Sequence, residues 1–330
     1  MEALFDIPVL GFILQFAAYL VQVITSGHIA PIILGLATPI ALGALCGVMN
    51  ERSGVVNIGI EGMMLFAAYI GFMTALLVHE AFPMESGPVF GATPALLAGV
   101  VTAIAAGILI SLLHAWLSVT VRADQIISGT IINITALGLT SYLNRLIKPF
   151  GSAGTFESLH PPAALVNLPG VGWVFEMFLS VGPIAMSVIV FIIVSQVLLF
   201  RSRWGLRTRA VGEHPKAADT VGINVIRLRY QNVLLGGVFA GLAGAYLTLD
   251  FGGALLFMGS QALGVAIRLA PPPGDLGTFL SGIQHAYPSL YNNFFGGLPY
   301  LITIVVLAGV VGRSVAPAAD GRPYEKESAT

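Results

Sequence analysis

The feature that most constrains this chain is a succession of apolar runs, each about twenty residues long, separated by short polar segments. A hydrocarbon core about 30 Å thick is crossed by roughly 20 residues of α-helix. Nine runs reach that scale, at 8–26, 30–49, 56–78, 94–119, 124–147, 181–200, 231–252, 254–270 and 298–315. Charged residues make up only 9% of 330 and hydrophobic residues 56%, whereas soluble domains carry about 25% charged residues. A water-facing surface cannot be built from that supply. The expected fold is an all-α integral membrane protein, one transmembrane domain over 1–330, built as a polytopic bundle of about nine helices that includes broken or re-entrant segments.

The first run follows MEALFDIPVLGF, which holds two acidic residues and no basic one. It lacks the charged leading region of a secretory signal peptide and reads as a retained helix. Glycine is abundant within the runs, and pairs such as Gly43 with Gly47 and Gly237 with Gly241 have the small-residue spacing that lets helices approach closely.

Orientation follows from where lysine and arginine lie, because short cytoplasmic loops collect them. Residues 201–230 hold Arg201, Arg203, Arg207, Arg209, Lys216, Arg227 and Arg229, seven of the fifteen basic residues, so this loop is expected in the cytoplasm. Counting back puts Arg52 and Arg122 on the same side, and 148–180 outside, where Pro161, Pro162, Pro169 and Trp173 predict irregular structure and an interfacial helix. Counting forward through three more spans would leave Arg313, Arg322 and Lys326 outside, so either a span is missing or one run is re-entrant. The tail over 316–330 is polar and, from Pro317 on, expected to be disordered.

Several chemistries find no footing. The net charge of −1 offers nothing to nucleic acid. The lysines at 148, 216 and 326 lie in no phosphate-binding G-x-x-x-x-G-K-[ST] pattern, so the chain is not expected to hydrolyse ATP. The six histidines are scattered without metal-ligand spacing, and neither a metal nor a catalytic residue is expected. Cys46, within an apolar run, reads as a small buried hydrophobe.

Within the loop, GEHPKAADTVGINV predicts a short helix with Ala217, Val221 and Val225 spaced by four and ended by Gly222. A helix outside the membrane offers a docking surface, although an arginine-rich loop can also merely set topology. In the spans, Glu61 follows Asn57 by four residues, which would put both on one helix face. Gln125, Gly129 and Asn133 form a polar and small stripe. Polar groups at such depth suit a solute pathway; equally, interhelical hydrogen bonding would account for the stripe, and Glu61 would instead lie among headgroups or cap a broken helix if Gly54 and Gly59 make the helix entry irregular.

The pattern E-x-x-x-A-A-x-x-x-G at Glu213, Ala217, Ala218 and Gly222 resembles the coupling-loop motif of ABC importer permeases. ERSGVVNIGIEGMML at 51–65 and ADQIISGTIINITALGLTSYLNR at 123–145 resemble the nucleoside branch of the branched-chain amino acid and ribose permease superfamily, over most of 31–252. After Gly253 the chain departs from that pattern, lacking one glycine-containing helix that relatives carry, which is consistent with the difficulty in counting charges. The resemblance implies a permease subunit of an ATP-driven importer in the bacterial plasma membrane, embedded in lipid and carrying nucleosides or related polar solutes. It implies three partners: an ABC ATPase subunit that binds ATP and magnesium, a second permease, and a substrate-binding lipoprotein. It also implies an ATPase-coupling role for Glu213, Ala217, Ala218 and Gly222, beside a pathway touched by Asn57, Glu61, Gln125 and Asn133. An ion-coupled secondary transporter of a small polar solute is the alternative, weakened by the few ionisable residues in the spans, chiefly Glu61 and Asp250.

Overall fold

The structure, a computed structural model, describes residues 30–82, 87, 89–147, 153–158, 162–168, 171–250, 282, 285–289 and 316–324. The runs expected at 8–26, 254–270 and 298–315 lie outside the described residues, as does most of the segment where a helix was expected to be missing. The described residues are helical and contain no strand. In order, the helices are α1 (Ala30–Glu51), α2 (Ile60–Ala81), α3 (Pro94–Ala115), α4 (Gln125–Ile147), α5 (Ala163–Val166), α6 (Gly172–Leu179), α7 (Pro183–Arg201), α8 (Arg203–Glu213), α9 (Pro215–Thr220) and α10 (Val225–Ala245). Two of them widen into π-helical turns, α3 over Trp116–Val121 and α10 over Tyr246–Asp250. Five helices among the described residues are long and apolar enough to cross a membrane: Ile60–Ala81, Pro94–Val121, Gln125–Ile147, Pro183–Arg201 and Val225–Asp250.

The chain divides into two compact units, Met1–Leu36 with His160–Ser180 and Ala254–Ser314, and Ala37–Leu159 with Val181–Gly253 and Val315–Thr330. Of the first, the described part includes α5 and α6, and the Gly172 amide at the start of α6 donates to the Leu168 carbonyl at 2.9 Å. Within 148–180 the described residues do contain a short helix carrying Trp173, α6.

In the second unit α3 packs against both α2 and α10, and α4 lies along α2. Small residues set these distances. A Cβ added at Gly241 would stand 2.6 Å from Ile104 Cα and 2.8 Å from the Ala103 carbonyl of α3, so those two backbones are in direct contact. The expected role of Gly237 and Gly241 is thus met. Gly43 and Gly47 are looser, since a Cβ there would reach only ordinary contact with α2 side chains.

Helix ends follow local chemistry. Thr93 caps α3, its Oγ1 accepting from the Leu96 amide at 3.2 Å, with Pro94 in the first position. Asn224 caps α10 by accepting from the Arg227 amide at 2.9 Å. That cap starts α10 six residues before the apolar run at 231, so the last part of the expected 201–230 loop, with Arg227 and Arg229, is already membrane helix.

Candidate functional site

The loop between α7 and α10 is two helices set at a corner. Ser202 Oγ accepts from the Gly205 amide at 2.9 Å and starts α8 one residue after α7 ends. His214 interrupts the helix before Pro215 begins α9, and Gly222 closes it at φ +82°, its amide donating to Asp219 O at 2.9 Å while the Ile223 amide reaches Ala218 O at 3.0 Å. The expected termination at Gly222 is observed, but the expected single face is not. Glu213 belongs to the end of α8, Ala217 and Ala218 to α9, and Val225 to α10, because the corner at His214 and the turn at Gly222 break the four-residue spacing. Ala218 is 4% exposed and packs with Val211, Val225, Leu228 and Tyr324, whereas Ala217 and Val221 are exposed.

Two cavities flank these helices. One, of about 300 Å³, is lined by Arg52, Phe200, Arg209, Glu213 and Pro317 among others, with the Arg209 guanidinium 5.2 Å from the Phe200 ring centre. The other, of about 580 Å³, is lined by Arg203, Trp204, Arg207, Arg227 and Gln231 with the turn after α9.

The tail does not behave as expected. Residues 316–324 are ordered against this loop, with Ala319 and Tyr324 buried. The Ala319 amide donates to Gly212 O at 2.9 Å and the Ala318 amide to Glu213 Oε2 at 3.1 Å. Few apolar residues mark the tail, yet Tyr324 joins the buried cluster that holds Ala218 of α9. Arg322 therefore lies on the same side as the loop, not across the bundle as a simple forward count of spans would place it.

Three of the four residues expected on a solute pathway, Asn57, Gln125 and Asn133, meet at one irregular segment, and Glu61 follows it on α2. Residues 55–58 are not helical, since Gly54 at φ +81° ends the turn after α1 and α2 begins only at Ile60. Asn57 and Glu61 therefore do not share a helix face. Asn57 is buried, its Oδ1 accepting from the Gly59 amide at 2.9 Å, while Glu61 is exposed on the first turn of α2. From α4, Gln125 Oε1 accepts from the Val56 amide at 2.7 Å, and Asn133 binds at both ends of its amide, Oδ1 accepting from Gly62 N at 2.7 Å and Nδ2 donating to Ile58 O at 3.0 Å. Glycine makes the approach: a Cβ on Gly59 would stand 3.2 Å from Gly129 Cα.

One member of this cluster escaped notice in the sequence. His114 is fully buried, with Nε2 3.1 Å from Val56 O and Nδ1 3.1 Å from Ser128 Oγ. Because the carbonyl can only accept, Nε2 carries the proton and Nδ1 accepts from the serine hydroxyl. Nothing in linear spacing ties residue 114 to residue 56. Asp250, the other ionisable residue noted in a span, caps α7 instead, accepting from the Ile184 amide at 2.9 Å.

Comparison with known proteins places this architecture. Residues 29–269 match the family described as branched-chain amino acid transport system / permease component. The chain is 37% identical to the guanosine ABC transporter permease protein NupQ of Bacillus subtilis, over 90% of this chain and 96% of the relative. It is 33% identical to the nucleoside ABC transporter permease protein NupC of Lactococcus lactis, over 88% and 94%, and 30% identical to the putative glucose ABC transporter permease protein TsgC13 of Haloferax volcanii, over 88% and 95%. No solved structure matches. The chain is a multi-pass membrane protein that belongs to the branched-chain amino acid transport system permease family.

Proposed function

We propose that this chain is a permease subunit of an ABC importer in the bacterial plasma membrane and forms part of the translocation pathway for nucleosides or related polar solutes. The observation that carries this reading is the similarity to NupQ and NupC along nearly the whole of both relatives. ATP hydrolysis is assigned to a separate ATPase subunit, and solute delivery to a binding lipoprotein at the outer face. A second, non-identical permease completes the pathway. Bacillus subtilis has two guanosine ABC transporter permeases, NupQ and NupP, and this chain is 29% identical to NupP over 63% of its length against 37% over 90% for NupQ.

In this mechanism α9 is the contact with the ATPase. Ala217 and Val221 offer it a small and an apolar exposed side chain, Ala218 anchors the helix from beneath, and Gly222 sets the turn back to the membrane. Movement of α8 and α9 then rocks the bundle between outward and inward access. Glu61 and Asn133 are the proposed solute contacts because they keep exposed surface. Asn57 and Gln125, both buried, hold the segment that presents them.

The test is reconstitution with the ATPase, second permease and binding protein, and uptake of radiolabelled guanosine into proteoliposomes. ATP-dependent uptake that unlabelled nucleosides compete and branched-chain amino acids do not is the expected result. Uptake driven by an ion gradient without ATP would instead support the secondary-carrier alternative.

A further inference from the structure

Residues 316–324 connect two cytoplasmic segments that the sequence separates by about 160 positions. On one side they hold the corner between α8 and α9, through Ala319 N to Gly212 O, Ala318 N to Glu213 Oε2, and Tyr324 in one buried cluster with Val211, Ala218, Val225 and Leu228. On the other they reach the turn after α1. Arg229, 1% exposed, stands between the two, its Nη1 donating to Arg322 O at 3.0 Å and its Nε to Ser53 O at 3.2 Å. A Cβ on Gly54 would stand 3.1 Å from Ala319 O, so the tail backbone lies directly on that turn. Ser53 and Gly54 lead straight into 55–59, the segment clasped by Gln125, His114 and Asn133.

We infer that the C-terminal tail is a strap that transmits movement of the coupling helix to the irregular segment before α2, with Arg229 and Tyr324 as its positioning residues. This rests on the importer reading above. Three observations support it together. Glu213 accepts from the tail's own backbone, so that carboxylate oxygen serves an internal contact. The tail buries Tyr324 in the same cluster as Ala218, the buried neighbour of the exposed Ala217. Arg229 places one guanidinium on two carbonyls, Ser53 O of the turn after α1 and Arg322 O of the tail, so tail and turn cannot part without costing a buried cation one of its acceptors. A contiguous set of hydrogen bonds and packed side chains of this kind is the physical form that mechanical coupling takes.

Two measurements test the strap. The first is hydrogen exchange on the purified chain, which does not depend on what is transported: the amides of Ala318 and Ala319 are expected to exchange slowly, and more rapidly in Tyr324→Ala. Free exchange of these amides in the wild type would end the proposal. The second is solute imported per ATP hydrolysed by the reconstituted complex, in the wild type, in Tyr324→Ala and in a chain ending at Ala316. The ratio is expected to fall by about tenfold, within the range for a lost coupling free energy, with the ATPase subunit still bound and hydrolysing. An unchanged ratio overturns the inference, and so does loss of the bound ATPase in step with uptake, which would make the tail a prop for the fold. Tyr324→Phe, which keeps the ring, is expected to restore most of the ratio. If the wild-type complex hydrolyses ATP but imports nothing, the importer reading fails together with the transmission, while hydrogen exchange still decides whether the strap exists.

Discussion

The carboxylate of Asp250, at the end of α10, accepts a hydrogen bond from the Ile184 amide in the first turn of α7 at 2.9 Å, with a longer one from Ala185 at 3.4 Å. The last residue of one membrane helix thus satisfies the orphan amides at the start of another. A Cβ added at Gly182 would fall on Asp250 Oδ1, so this cap needs glycine beside it. Asp250→Ala is expected to cost about 1–2 kcal/mol, the worth of a helix cap with a charge near the N-terminal dipole, measured as a lowered Tm in detergent. Gly182→Ala should cost a similar amount by expelling the carboxylate, and much less once Asp250 is already alanine. Full additivity of the two changes would show that they do not act on one contact.

Asn133 holds the irregular segment while keeping some exposed surface, whereas Glu61 is exposed and holds nothing among the described residues, so the two should differ in what a substitution costs. Asn133→Leu strands the amide of the buried Gly62, and an unsatisfied buried donor of this kind costs about 1–3 kcal/mol, while the carbonyl it frees belongs to the exposed Ile58. Glu61 is exposed and makes no hydrogen bond or ion pair among the described residues, so Glu61→Gln should leave stability within about 0.5 kcal/mol. Its effect is expected on uptake alone, as a change in KM for the solute. A stability loss at Glu61 equal to that at Asn133 would remove the distinction.

Neighbouring alanines in α9 make a sharper pair. Ala217 is exposed, so Ala217→Trp should fold with Tm nearly unchanged and yet separate ATP hydrolysis from import by obstructing the ATPase contact. Ala218 is buried in the cluster that also holds Tyr324, and Ala218→Trp should destabilise the loop by about 1–3 kcal/mol or more through overpacking. Uptake and ATPase stimulation that survive Ala217→Trp intact would show that α9 is not the docking helix.

What the sequence made legible was whatever is written locally. Five of the apolar runs reappear as helices within a few residues, because length and hydropathy are properties of one segment. The stop at Gly222 was readable for the same reason, since a residue at φ +82° is the ordinary work of glycine. The Asn57–Glu61 face was lost because spacing arguments assume a helix, and Gly54 and Gly59 open the backbone there. His114 and Arg229 were hidden for a different reason. Their partners lie 58 and 176 residues away, and no periodicity reports a contact between such distant positions. Residues 316–324 were misjudged on polarity alone, although buried Ala319 and Tyr324 and hydrogen bonds to Gly212, Glu213 and Arg229 suffice to dock them.

Asp320 gives the docked tail a pH dependence. Its carboxyl is pushed up from the ordinary 3.8 to about 6, first by loss of solvent and then by the nearby Glu51, against weaker opposing help from the Gly321 amide and Arg229. A raised carboxyl value means that the docked state holds the proton more tightly than the undocked one. The resulting stabilisation is therefore fully present below 3.8 and is lost as pH rises through about 6. Asp320→Asn mimics the protonated form at every pH, so it should raise Tm relative to wild type at about pH 7.5 and lose that advantage on acidification through the window between the two values. Comparing variant with wild type at each pH cancels the other titrating groups. A constant difference across the range, or a larger one in acid, would show that Asp320 does not titrate against the docked tail.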